Sequence, residues 1–500
     1  MSKHSTAPLV LTLDVGSSGV RVRLYDQSGT AVTGVKAKQD HTITTTPDGG
    51  AVFDAEELTN ACEAVLDAAV KQLDHVHGEV IALAGDTLVP NIMGLDANHT
   101  PITPIYTWGD TRAHGDALEL RKELNPTAYH ERTGCILHAS YVPAKLRWLR
   151  RTDPELYGRV KCWVSVGEYL FLRWFGEPRC SFSVASWSGL LNRHTLEWDQ
   201  ATLAALELTP DQLGTLADTG DGCKDWLPAY RKRWSVLSDA PCLPTVGDGV
   251  GSNIGSGCTT PDRVALVVAT SGAMRVMLEG TPAQLPAGLW SYRVDRKRCL
   301  LGGAVSNGTN VFDWLDRTLQ LPPAKELEQA LGELPPASHG LTVLPFLAGE
   351  RSPGWADDAT AAFVGLRLAT KPIQILQAAL EAVAFRFALI HQGLKAQLPA
   401  THTLVASGKG FVQSPTWVQI TADVLGQPVV ASDQKSATAR GIALLAFDLL
   451  GTTPLQSVPF TAAQTFQPRP DRHAVYIQAL AQHTELYNQL LHQGTIAPQH

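Results

Sequence analysis

Nowhere in the 500 residues do about eighteen apolar side chains run together, so the sequence offers no membrane span. The opening MSKHSTAPLVLTLDVG is interrupted by Asp14 before a long apolar stretch can form, and it does not read as a secretory signal. The eight cysteines never fall into CxxC or a Cys/His metal spacing. Scattered thiols of this kind point to a reducing compartment, the cytoplasm, rather than to disulfides or zinc. There is no long run of Lys or Arg either. With a net charge of −7 and an isoelectric point near 6.1, a nucleic-acid partner is not expected, because such binding leans on a basic face. Two familiar phosphate loops are missing as well. GxxxxGK[ST] does not occur, since Gly408-Lys409 is followed by Gly410, and Ser18 breaks a GxGxxG that would begin at Gly16.

What is present describes an ordinary globular enzyme: 44% hydrophobic and 18% charged residues in a chain too long for one core, so two domains are expected. LVLTLDV (9–15) reads as a strand buried on both faces, and VRVRLY (20–25) as an alternating strand after a GSSG turn. DQSG then turns the chain into AVTGVKAK. At Asp54 the period becomes helical, with Glu57 three residues on as in a capping box, and VIALAG from Val80 is again a strand. This β-β-β-α-β order is that of actin- and hexokinase-type α/β domains, not of a βαβ dinucleotide fold. A similar opening, VALVVATSGAMRVML (264–278), recurs halfway along the chain. We place a domain boundary in the small, polar SGCTTPDR segment, giving domains 1–258 and 259–500.

Two segments carry candidate chemistry. DVGSSG (14–19) sets a carboxylate at a strand end before a turn whose amides can cradle phosphate oxygens, with Asp14 able to hold Mg²⁺ through water. The same segment also suits a plain hairpin whose Asp caps its turn. GDGVGSNIGSG (247–257) places Asp248 at the start of a small-residue helix, where the positive end of the dipole favours an anion able to accept a hydroxyl proton. An ordinary N-cap Asp is the alternative there.

DVGSSGVR, GDGVGSNIG, ATSGAMRV, GERSPGW and ASGKGFVQSPTWVQITADVLGQPV occur in the order and spacing of another group. The chain thereby resembles the FGGY-type carbohydrate kinases over roughly residues 9–450. Within that family TWGDTR (107–112), ASWSGLLNRHTLEWD, LLGGAVSNGTNVFDW and GERSPGW look most like gluconate kinases. The resemblance implies two RNase-H-like (actin/hexokinase-type) domains around an interdomain cleft, ATP with Mg²⁺, and a small sugar or sugar acid as acceptor. It implies that Asp248 is the catalytic base and Asp14 the Mg²⁺-associated residue. Gly16, Ser17, Ser18 and Arg21 match the first phosphate hairpin, Thr270, Ser271 and Gly272 the second, and Gly408, Lys409 and Gly410 the nucleotide loop. Trp108, Asp110 and Arg112 fall near the sugar cleft, as does His138 in RTGCILH.

Several readings stay open beside these. Trp108 suits packing as well as stacking on sugar, and Asp110 and Arg112 suit pairing with neighbours. Glu350 and Arg351 read as ties within the second domain rather than as substrate contacts. Lys409 stands where relatives have Gly, and either reaches a nucleotide phosphate or points to solvent; the solvated reading is favoured, because long charged side chains leave crowded sites. Val89-Pro90 replaces a Met-His pair of many relatives, which puts the sugar in question, and Asp86 is the candidate replacement contact. Gluconate is the expected acceptor and a ketopentose the second choice. A catalytically silent sugar-binding regulator on the same fold is the reading of a different class. The oligomeric state is open, a homodimer included.

Overall fold

The apolar run at residues 9–15 forms the middle of a sheet, buried on both faces as its pattern predicts. In the computed structural model, which describes residues 7–432, 434, 436–457, 460 and 462–491, this strand is β1 (Pro8–Gly16). It turns at Ser17–Ser18 into antiparallel β2 (Gly19–Asp26), and β3 (Ala31–Asp40) completes a meander. Helix α1 (Ala55–Val70) starts where the sequence sets it, the Asp54 side chain accepting from the Glu57 amide at 2.8 Å. The chain then returns as β4 (Glu79–Thr87), parallel to β1, and a much later short strand, β5 (Val246–Gly247), lies parallel beyond it. The sheet order is β5-β4-β1-β2-β3.

The second half repeats this plan. β6 (Arg263–Val268) and β7 (Gly272–Glu279) make the hairpin, and β9 (Arg298–Val305) pairs antiparallel beyond β7, followed by β8 (Trp290–Arg293) at that edge. On the other side of β6 lie parallel β10 (Thr403–Ser407) and β11 (Val429–Ala431), then antiparallel β12 (Gln464–Phe466). Both halves therefore carry an antiparallel trio on one side and parallel strands on the other, the actin- and hexokinase-type arrangement expected from the element order.

Helix α4 (Pro372–Leu394) lies on β7 and β9, with α3 (Thr309–Thr318) against it. By length and composition the stretch Pro372–Gln397 is apolar enough to cross a membrane, which inspection for unbroken apolar runs misses. Its apolar window is 78% buried inside the protein, as befits a core helix.

Two helices join the halves. α2 (Asp248–Gly255) packs along α5 (Ala437–Leu449) in a seam of glycines. A Cβ on Gly255 would stand 1.7 Å from the Ala437 carbonyl oxygen, and one on Gly441 would stand 1.9 Å from that of Gly251. α5 comes between β11 and β12 of the second half in the chain, yet it lies against β1 and β4. Its Ala439, Ile442, Ala443 and Leu445 are buried in one core with Val10, Ala82, Ala84 and Val246 of the first half.

Candidate active site

Three acidic residues meet where the first sheet's parallel strands end. Asp14 on β1 and Asp86 on β4 are direct partners in the parallel register, and Asp86 in turn pairs with Val246 on β5, two residues before Asp248. Asp14 keeps slight exposure and a 3.4 Å contact from Arg21, its cross-strand partner on β2. Burial raises its pKa, against which the Arg21 charge pulls. Asp86 is wholly buried and neither of its carboxylate oxygens has a partner among the described residues. Burial, then the charges of Asp14 and Asp248, push it far above the usual carboxylate range. So enclosed, Asp86 stands behind Asp14 and Asp248 rather than on an open surface.

Asp248 is the first residue of α2, not its cap. Gly247, extended at φ −68° and ψ 140°, takes the cap position, and the Asp248 carboxylate accepts from the Gly249 amide at 2.8 Å. Its surroundings push its pKa up to about 6. Desolvation is the main cause, opposed by the Arg275 charge and the Gly249 N–H and reinforced by Asp14. A carboxylate so tuned is ionised at neutral pH and still a competent proton acceptor.

The two hairpin turns present small residues: Ser17 and Ser18, both exposed, beside Gly16 in the first, and exposed Thr270 with half-buried Ser271 before Gly272 in the second. The second turn is held by the start of α3, where the Gly308 and Thr309 amides donate to the carbonyls of Thr270 and Ala269 at 3.1 and 2.7 Å. Gly408 packs beside it at φ 106°, a conformation that favours glycine, and any Cβ there would strike the Val268 carbonyl at 1.9 Å. Lys409 and Gly410 open the short helix Lys409–Val412, both exposed. Lys409 has no partner among the described residues, in keeping with the solvated reading.

The sequence quoted Arg275 and Trp187 inside motifs without marking either as a site residue. The Arg275 guanidinium carbon lies 3.4 Å from where a Gly249 Cβ would stand, next to Asp248, and its Nε and Nη1 are buried without partners among the described residues. Trp187 flanks the same glycines: a Cβ on Gly247 would lie 2.7 Å from its Nε1, which is also buried and unpartnered. Its ring stacks on Tyr292 at 3.8 Å. A detectable signal was the Gly247–Gly249 pair flanking an Asp, since such glycines announce close neighbours.

The remaining sugar-side candidates are largely engaged already. Arg112 donates to Asp110 through Nε at 3.0 Å and through Nη2, and stacks 4.6 Å over Trp148. Asp110 is buried and also accepts from the Ala51 amide. The alternative in which these two pair with neighbours describes them well. His138 contacts Asp357 through Nε2, accepts the Ser140 amide on Nδ1 at 3.0 Å, and meets Trp355 edge-on. Burial lowers its pKa, with Asp357 opposing. Trp108 is 38% exposed, and Arg351 of the other half stands 5.8 Å from its ring. Val89 puts an apolar side chain against Gly247, in front of a cis peptide to Pro90. Glu350 ties the second half together as expected, through Arg386, Tyr487 and the Gly354 amide. Arg351 ties the second half as well, its Nη2 donating to the Val305 carbonyl, and also stands near Trp108 across the halves.

No group of three or more His, Cys, Asp or Glu among the described residues is arranged to hold a metal alone. Asp14, which keeps slight exposure at the strand end, instead offers one of the one or two carboxylates that Mg²⁺ takes when phosphates and water complete its shell. The donor set fits Mg²⁺ arriving with a nucleotide. A concavity of about 950 Å³ lies elsewhere, between α4 and the C-terminal helix Pro470–Leu491, and holds none of these groups.

Comparison with known proteins agrees with this geometry. Residues 9–255 match the model for the N-terminal domain of the FGGY family of carbohydrate kinases, and residues 264–448 match that for its C-terminal domain. Gluconokinase of Bacillus subtilis is 26% identical over 447 residues, covering 87% of this chain and 86% of that protein. Xylulose kinase of Escherichia coli is 24% identical over 500 residues, covering 97% and 99%. Two solved structures from Lactobacillus acidophilus, a ligand-bound xylulose kinase and a gluconate kinase, each superpose with a TM-score of 0.89. Their identities are 26% and 25%, and the match covers 97% of this chain and 98% of each of them.

Proposed function

The chain belongs to the FGGY family of carbohydrate kinases, and on that premise we propose that it transfers the γ-phosphoryl group of ATP to gluconate, forming 6-phosphogluconate in the cytoplasm. The observation that carries the chemistry is Asp248: a carboxylate raised to a pKa of about 6 at the start of α2, where it accepts the Gly249 amide and feels the charges of Arg275 and Asp14. The division of the chain at 258/259 is part of the same proposal.

In this reading Asp248 accepts the proton of the sugar's primary hydroxyl as that oxygen bonds to the γ-phosphorus. The bond from phosphorus to the bridging oxygen breaks, its electron pair leaves with ADP, and Asp248 later yields the proton to solvent. The Gly16–Ser18 and Thr270–Gly272 turns cradle the phosphates through their amides. Asp14, with Asp86 behind it, would hold Mg²⁺, which would supply charge neutralisation at the phosphate oxygens. Arg21 keeps Asp14 oriented, and Gly408 and Gly410 let the nucleotide approach backbone.

Gluconate leads because the Bacillus gluconokinases are among the relatives. A ketopentose is the second reading, favoured by the xylulose kinase structure that superposes equally well and by the apolar Val89 beside Gly247. Coupled ADP release over gluconate, xylulose, ribulose and glycerol decides between them. Gluconate giving the highest kcat/KM, lost by about 10²–10⁴ in Asp248→Asn with ATP affinity kept, is the expected result. Highest kcat/KM with xylulose and no turnover of gluconate would reassign the substrate. ADP release unmoved by any sugar would favour the silent regulator.

A further inference from the structure

Arg112 and His138, expected near the sugar cleft, both already hold carboxylates of the protein, Asp110 and Asp357. Arg275 holds none. We propose that Arg275, with Arg351 beside it, reads the carboxylate of a sugar-acid substrate and so determines which acceptors the enzyme takes. This rests on the sugar-kinase reading, and deepens its substrate assignment.

Four observations converge on this pair. First, Arg275 lies three residues past Gly272 on β7, so it shares a face with Ala273 and Met277. Both of those pack into the core that holds Trp187, Trp290 and Tyr292, so this face of the second half's strand looks toward the first half. The apparent counterpart Arg21 lies two residues past Gly19, on the opposite face with respect to its turn, and is matched to Asp14. Second, the guanidinium lies against Gly249 at the start of α2, its carbon 3.4 Å from where a Cβ would stand, while Trp187 at 3.0 Å is what keeps that position small. Third, Nε and Nη1 of Arg275 are buried without partners, and a guanidinium left in that state costs more than one that meets an anion.

The fourth observation is Arg351. Its Nη2 donates to the carbonyl of Val305 on β9, the strand that pairs with β7, and burial above all, with the Arg275 charge, lowers its pKa. Its place near Trp108 puts it at the line between the halves. A neutral sugar leaves both cations unmatched. A carboxylate accepts paired N–H bonds from a guanidinium fork and relieves the mutual repulsion. The hydroxyl at the other end of the acid is then left for Asp248.

The test uses acid and neutral acceptors that differ only at the carboxylate: gluconate with glucitol, and xylonate with xylitol. Wild type is expected to favour the acid in each pair by about 100-fold in kcat/KM, the scale of a desolvated charge-assisted contact. Arg275→Met, assayed at pH 8 or above so that Asp248 stays ionised without the Arg275 charge, should lose about that factor on the acids alone, with ATP affinity unchanged. Arg275→Lys should keep part of the preference. Equal losses on acid and neutral members, or a fall in ATP affinity, would assign Arg275 to the phosphates and overturn the inference. A wild-type preference for the neutral members would overturn it without need of a variant, and leave the kinase assignment intact. Turnover of xylonate but not gluconate would refute gluconate and keep Arg275 as the acid reader.

Discussion

Asp14 and Asp86 stand opposite one another in the parallel register of β1 and β4, carboxylate beside carboxylate, with Asp248 close enough for its charge to be felt by Asp86. Such an arrangement is costly in the ligand-free protein and becomes favourable when a cation and phosphates enter. The acidic centre is therefore held in a state that binding relaxes.

Asp86→Asn should make the ligand-free protein more stable at neutral pH. The folded-state pKa of Asp86 is raised, so its favourable contribution is fully present below the unfolded value of about 3.9 and is lost as pH climbs. The variant escapes that loss. Its Tm is expected to exceed wild type by about 1–3 °C at pH 7.5, the scale of ~1 kcal/mol in a large domain, with the gain fading toward pH 4. A lower Tm at pH 7.5, or an offset constant with pH, would show that the carboxylate is not under strain.

The pH profile of kcat/KM should carry an acid limb. Asp248 must be ionised to accept the hydroxyl proton, and its pKa sits at about 6. The logarithm of kcat/KM is expected to rise with unit slope below that pH and to flatten by about pH 7. A profile level down to pH 5 would require another base.

Lys409→Gly should leave nucleotide binding nearly untouched, because Lys409 is exposed and unpartnered among the described residues. Calorimetry at two salt concentrations is expected to give ATP and ADP affinities within about a factor of two of wild type. A loss of tenfold or more, about 1.4 kcal/mol, that shrinks as salt rises would place the ammonium on a phosphate.

Gly255→Ala should destabilise severely, since its Cβ would fall 1.7 Å from a backbone oxygen that no rotamer change can move. A cost of about 3 kcal/mol or more is expected, read as lost soluble yield or a sharply lower Tm. Gly158→Ala, where a Cβ meets nothing within 4 Å, is the control and should be neutral. Equal tolerance of both would mean that α2 and α5 can separate freely.

Much of the fold was legible because it is local. The buried run ending in Asp14, the turn at Ser17–Ser18 and the Asp54 cap each depend on a few consecutive residues, and each formed where expected. Asp248 was legible as a helix-start carboxylate, off by one position because Gly247 took the cap. What escaped was relational. Nothing near Arg275 in the chain says that it faces Gly249 of the other half, and nothing near Arg112 decides between Asp110 and a ligand. The apolar pattern of α5 announces burial, but not against which sheet.

That last helix has a consequence for how the protein is made. A ribosome releases the chain amino end first, and domains commonly fold as they emerge. Here the first half cannot close its core when β5 leaves the tunnel, because Ala439, Ile442, Ala443 and Leu445 have yet to be synthesised. Until nearly the whole polypeptide is out, the face of β1 and β4 that α5 covers stays bare. The two halves mature together or not at all, and a chain cut anywhere before Ala437 is a damaged first half as well as an incomplete second.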